Sequence, residues 1–366
     1  MTRLTPLLLV AILCPAAPPG SKAGFDSERL ARIPVRMQAF VDRGDAAGVV
    51  NLVARHGKIG LLEARGLQDM ASKKPMRTDT IFQVMSMTKP FTGVAIMMLM
   101  EEGRLSLYDA VEKHLPEFRG QMLAVKSAGG SQQLQKPSRA ITIRDLMTHT
   151  GGMSGPHEPI AALYSKLDLS LANAVKTFAK SPLDFEPGSK WAYSNTGIAT
   201  LGRIIEVASN QPYEKFVGDR IFEPLGMKDS FFFPPPDKVS RIAGLYSRKD
   251  NQFVTAEATS LGGDWSKYRK SAKYPAPEFG LFSTATDLFH FYQMMLNGGS
   301  FEGKRLLSQP SVEAMTAVQT GDLKAGHNPG SAFGLTWEVF RDPVGMLTLL
   351  SPGTFGHEAR SAPMAG

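Results

Sequence analysis

Cysteine is almost absent, since Cys14 is the only one in 366 residues. It sits in an N-terminal apolar stretch, so the rest of the chain has neither a disulfide nor thiol chemistry open to it. Metal and nucleotide signatures are missing too. There is no His-Glu-x-x-His pair, no spaced Cys/His set, no Rossmann glycine fingerprint and no P-loop, so we expect no metal and no cofactor. The Gly-x-Ser-x-Gly elbow that carries the nucleophile of α/β-hydrolases is also lacking. The formal charge of +7 is spread along the chain without a Lys/Arg block, which gives a nucleic-acid partner little support. No internal repeat or low-complexity segment occurs.

What is present is ordinary globular text, 43% hydrophobic and 20% charged, enough for one large or two smaller cores. Arg3, the apolar Leu7 to Leu13 and Ser21-Lys22-Ala23 read as a secretory signal over residues 1–23, cleaved before Gly24. Its apolar part is too short for a permanent membrane anchor. Ala11-Ile12-Leu13 lacks the small residue that lipidation of Cys14 needs. We therefore expect a periplasmic or secreted bacterial protein without a stable membrane anchor.

Leu30, Ile33, Met37 and Phe40 recur at helical spacing, with Pro34 marking a kink or the helix start. Val49 to Arg55 and Lys58 to Arg65 read as strands joined at His56-Gly57. Thr142 and Asp145 look like a capping box, followed by a loop at His149-Thr150-Gly151-Gly152. Asn195 to Ser209 and Tyr213 to Phe222 have helical patterns, and Thr284 caps another helix that ends near Asn297-Gly298. Gly334 to Phe340 and Met346 to Leu350 read as strands. Strand text at both ends with helix and loop between them suggests an α/β (α+β) sheet domain interrupted by a helical one.

Three places carry candidate chemistry. Ser86 and Lys89 stand three residues apart before the apolar run Phe91 to Met100, so a helix starting near Ser86 would put hydroxyl and amine on one face. A buried amine at a helix start loses its proton readily and can then deprotonate a serine. An ordinary amphipathic helix could carry the same pair. Tyr193, two residues before Asn195, could shuttle protons, with the asparagine amide binding a substrate carbonyl and hydrogen-bonding the lysine; a loop tyrosine before an asparagine helix cap is the plainer reading. His357, after a strand, could act electrostatically or in proton transfer, or be structural.

In order, Ser86-x-x-Lys89, Tyr193-x-Asn195 and His357 resemble the three motifs of serine β-lactamase-related hydrolases, the superfamily of class C β-lactamases, DD-peptidases and family VIII carboxylesterases. Asp79-Thr-Ile-Phe, Leu146-Met-Thr-His-Thr, Glu186-Pro-Gly and Pro224-Leu-Gly-Met extend the likeness over residues 25 to 357. The resemblance implies an antiparallel sheet flanked by helices, formed by residues 24–84 and 226–366, with residues 85–225 as the helical insert. It implies Ser86 as acylated nucleophile, Lys89 as base, Tyr193 as proton-transfer partner, and Asn195 and His357 as substrate-binding groups. The Ser86 N–H would be one oxyanion donor and the strand after His357 would supply the other. The implied partner is a small ester or amide; a secreted recognition module without turnover is the reading from another class. His357 stands where lactamases and peptidases of the family have a lysine, which favours neutral esters. After His357 the pattern calls for Gly-Gly-Ala-Phe-Gly-Thr, a further strand and a closing helix. The tail from Glu358 to Gly366 is instead what a single-base frameshift of such text would encode, so we expect an incomplete C-terminus.

Overall fold

The computed structural model describes residues 23–126, 131–153, 160, 163–164, 167–250, 252–255 and 272–358. Residues 1–22 of the expected leader and everything beyond Glu358 lie outside those residues. Among the described residues, no helix is long and apolar enough to cross a membrane.

The Asp26 side chain accepts from the Arg29 N–H and so caps helix α1, Ser27–Asp42. Pro34 stands well inside this helix, which excludes it as the helix start. Strands β1 (Gly48–Arg55) and β2 (Lys58–Asp69) form an antiparallel hairpin. His56 and Gly57 turn it with φ of 50° and 72°, a left-handed pair that matches the strands' own twist. Helix α1 and the helix Ala285–Leu296 pack on the hairpin, and β3, Lys74–Pro75, pairs with β2.

A second antiparallel ladder joins Ser331–Phe333, Glu338–Phe340 and Thr354–Gly356. This corrects the expected strands at residues 334–340 and 346–350. Gly334 to Trp337 form a turn closed by the Gly334 N–H on the Trp337 carbonyl, with Thr336 at φ 67°. Gly345–Leu347 is a 3-10 turn, and Leu349 is 96% exposed. Phe355 and its neighbours, not the apolar run before them, complete the ladder. The antiparallel pair of Leu123–Lys126 with Gln132–Gln135 lies where mostly helix and loop were expected, because its short strands lack an alternating pattern.

Helix α2, Lys89–Glu101, is the centre of the core. Every residue from Lys89 to Leu99 is buried, as expected for a helix apolar on all sides. It packs against the helices Asn195–Ser209 and Tyr213–Val217. Phe91 stacks on Phe291 at 3.7 Å between ring centroids. Gly93 admits the Gly334–Trp337 turn, since a Cβ there would lie 2.0 Å from Thr336 Oγ1. The second ladder is thereby held against the same helix that follows Ser86.

Candidate active site

Ser86 is delivered by a short extended approach and an abrupt turn. β4, Phe82–Gln83, pairs with Phe282–Ser283, and the Val84 N–H bonds the Leu281 carbonyl. Met85 then takes a φ of 49°, a left-handed conformation that costs a bulky side chain roughly 1–3 kcal/mol and is retained where the surroundings over-determine it. Ser86 lies in the 3-10 helix Met85–Thr88, which runs directly into α2. The expected helix start near Ser86 is thus a tighter 3-10 turn, and Pro90 occupies the first turn of α2, where proline is tolerated.

Lys89 is fully buried. Its Nζ lies 3.1 Å from Ser86 Oγ and donates to the Glu278 carbonyl at 2.7 Å. Burial lowers its pKa from 10.5 to about 7, against the opposing charge of Glu278. Much of the amine is therefore neutral near pH 7, and a neutral amine beside a hydroxyl can take its proton.

Tyr193 arrives from the other side. The loop His149–Gly152 bonds the segment before the tyrosine: the Ala192 N–H donates to the His149 carbonyl, the Gly188 N–H to that of Thr150, and the Asp184 N–H to that of Gly152. Ser194, not Asn195, caps the following helix by accepting from the Gly197 N–H at 3.0 Å. The Lys89 amine sits 4.7 Å from the Tyr193 ring centroid. Burial raises the phenol's pKa, and a side-chain hydrogen bond with Ser86 opposes that rise. Asn195 is the first residue of its helix, and its buried Oδ1 has no hydrogen-bond partner. The expected bond from its amide to the lysine is not formed; Lys89 bonds Ser86 and the Glu278 carbonyl.

His357 follows the strand Thr354–Gly356, and its Nε2 lies 3.2 Å from the Tyr193 hydroxyl. Burial holds its pKa well below 6.5, so the ring is neutral at pH 7. The structure thus brings Ser86, Lys89, Tyr193 and His357 into one place. The expected second oxyanion donor, beyond His357, lies outside the described residues.

Two residues of this site escaped the sequence reading. His149, read as part of a loop, is 1% exposed and packs 4.6 Å from Tyr193, ring to ring. Its Nδ1 accepts the Ser194 N–H at 3.1 Å, so a neutral ring carries its proton on Nε2. Burial, followed by the charge of Lys89, keeps it neutral. Glu278 is fully buried, and its signal was a single charge within the apolar run Tyr274 to Phe282. A cavity of about 410 Å³ lined by Phe118, Met122, Arg139 and Leu183 touches none of the candidate residues. Among the described residues, no group of three or more His, Cys, Asp or Glu could hold a metal ion.

Comparison with known proteins gives the family and the fold. The family model described as Beta-lactamase matches residues 36–365. An uncharacterized protein of Mycobacterium tuberculosis is 31% identical over 86% of this chain and 80% of its own length. Esterase EstB of Burkholderia gladioli is 29% identical over 88% of this chain and 84% of its own length. Among solved structures, EstCE1, a hydrolase with promiscuous acyltransferase activity, superposes with a TM-score of 0.75 at 25% identity, covering 89% of this chain and 87% of the other. The fold is that of β-lactamase and transpeptidase structures, mixed in helix and sheet.

Proposed function

The chain belongs to the beta-lactamase family, and within it we propose a carboxylesterase that hydrolyses small neutral esters of short acyl chain through an acyl-enzyme on Ser86. The observation that carries this is the 3.1 Å contact between Ser86 Oγ and a fully buried Lys89 amine whose pKa is depressed to about 7. In the first step, the Ser86 oxygen attacks the ester carbonyl as its proton passes to Lys89 Nζ. The Tyr193 hydroxyl, held between Ser86 and His357, relays a proton to the leaving alkoxide and later helps deprotonate the water that releases the acyl group. Which of Lys89 and Tyr193 takes the first proton is a property of the coupled pair. The Ser86 N–H, early in its helix, has no intrahelical acceptor and is free to bind the oxyanion. Asn195 is the substrate-orienting group of this reading, its side-chain N–H donating to the ester carbonyl, while its Oδ1 is buried without a partner.

Neutral substrates are favoured because burial leaves His357 uncharged at the third motif, so no cation there draws a substrate carboxylate. Hydrolysis of a β-lactam or a D-amino-acid peptide is the second reading, favoured by the family's own description. Steady-state rates on nitrophenyl acetate and nitrocefin decide between them, and faster nitrocefin turnover would reverse the order. Labelling with a fluorophosphonate tests the hydrolase reading itself: a folded protein whose Ser86 takes no label is a recognition module instead.

A further inference from the structure

One face of α2 is fastened to a single short segment, Pro277 to Leu281. Thr88 Oγ1 accepts the Leu281 N–H at 3.1 Å, Lys89 Nζ donates to the Glu278 carbonyl at 2.7 Å, and Thr92 Oγ1 donates to the Pro277 carbonyl at 2.7 Å. The segment is itself rigid. Ala276 has a φ of 53°, the Gly280 N–H returns to the Ala276 carbonyl, and a Cβ on Gly280 would lie 2.0 Å from the Pro275 carbonyl oxygen. The Glu278 backbone is thus the fixed acceptor against which the lysine is aimed.

The Glu278 side chain does not take part in this fastening. Its carboxyl lies in the core, accepts from the Tyr274 hydroxyl at 2.8 Å, and makes no ion pair with Lys89. An ionisable acid in the core is expensive unless it is paired. The groups that act on the Lys89 amine are the Glu278 charge from this segment, Ser86 and Tyr193 in contact, and the neutral rings of His149 and His357. Facing the carboxyl are Lys89, Tyr274, Tyr164, Tyr193 and Tyr213. Among the described residues Glu278 is the one acid whose charge reaches the amine.

We propose that Glu278 is a positioning residue for Lys89: its carbonyl aims the amine at Ser86, and its buried carboxyl is the counter-charge that sets how readily the amine accepts the serine proton. This rests on the reading of Ser86 as nucleophile. Burial raises the carboxyl's pKa to about 7, close to that of the amine, so above neutrality the carboxyl is ionised while the amine is largely neutral. When Ser86 gives its proton to Lys89 with the carboxyl already ionised, the ammonium forms opposite a carboxylate and no second proton has to leave the core. The positive charge then has a partner inside the core.

The test is the pH dependence of the second-order rate at which a fluorophosphonate labels Ser86 in the full chain. The wild-type rate should rise through a midpoint near the lysine pKa of about 7. Glu278→Gln keeps the aiming carbonyl and removes the counter-charge, so the midpoint should fall by about one pH unit, and Glu278→Asp should restore it in part. Tyr274→Phe removes the donor that favours the ionised carboxyl and should shift the midpoint the same way, which gives a reading if Glu278→Gln folds poorly. A merely structural role would lower the rate at every pH and leave the midpoint in place. A folded Glu278→Gln whose midpoint stays or rises overturns the inference alone; absence of label in the wild type overturns the nucleophile assignment and the inference with it.

Discussion

Replacing Lys89 by methionine should weaken catalysis and change how stability depends on pH. The amine's pKa falls from 10.5 to about 7 in the folded protein. At about 1.4 kcal/mol per unit this is about 4–5 kcal/mol of discrimination against the charged form, about 4 kcal/mol of it within the three units from pH 7 to 10. Between pH 7 and the unfolded value, the unfolded chain holds a proton that the folded chain has released. Folding stability therefore rises with pH across that window, and below it the penalty is present in full. Lys89→Met has no such proton. In urea titrations at intervals from pH 7 to 10, wild-type stability minus that of the variant should climb by about 4 kcal/mol. Ester hydrolysis by the variant should fall about 10²–10⁴-fold, the loss of a general base. A stability difference that stays level across this range would refute the claim that burial holds the amine neutral, whatever happens to the activity.

Tyr193→Phe keeps the ring packed on His149 and Lys89 but removes the hydroxyl, so kcat on nitrophenyl acetate should drop about 10²–10⁴-fold with KM and melting temperature little changed. An unchanged kcat would remove Tyr193 from the proton path. Gly93→Ala places a Cβ 2.0 Å from Thr336 Oγ1 and should cost about 1–3 kcal/mol in thermal unfolding; an unaltered transition would mean that the Gly334–Trp337 turn yields freely.

Local chemistry was legible in the residues themselves. The left-handed turn at His56-Gly57, the capping box of Thr142 with Asp145, the cap at Thr284 and the i, i+3 placement of Ser86 and Lys89 each depend on neighbours within a few positions. The order of the three motifs, which no single spacing could interpret, pointed to the family once they were read together, and the match over residues 36–365 shows that family.

Long-range choices were decided only in the folded chain. Met346 to Leu350 has strand-like composition, yet a strand needs a partner, and Glu338–Phe340 pairs with Thr354–Gly356 instead. His149 looked like loop punctuation because nothing nearby in sequence shows that Tyr193 and Ser194 close over it. Glu278 gave no motif at all. Its place in the site follows from complete burial against Lys89, and desolvation depends on which distant segments exclude water from a group. Residue order alone placed the serine beside its lysine, but only packing stripped that lysine of water and lowered its pKa.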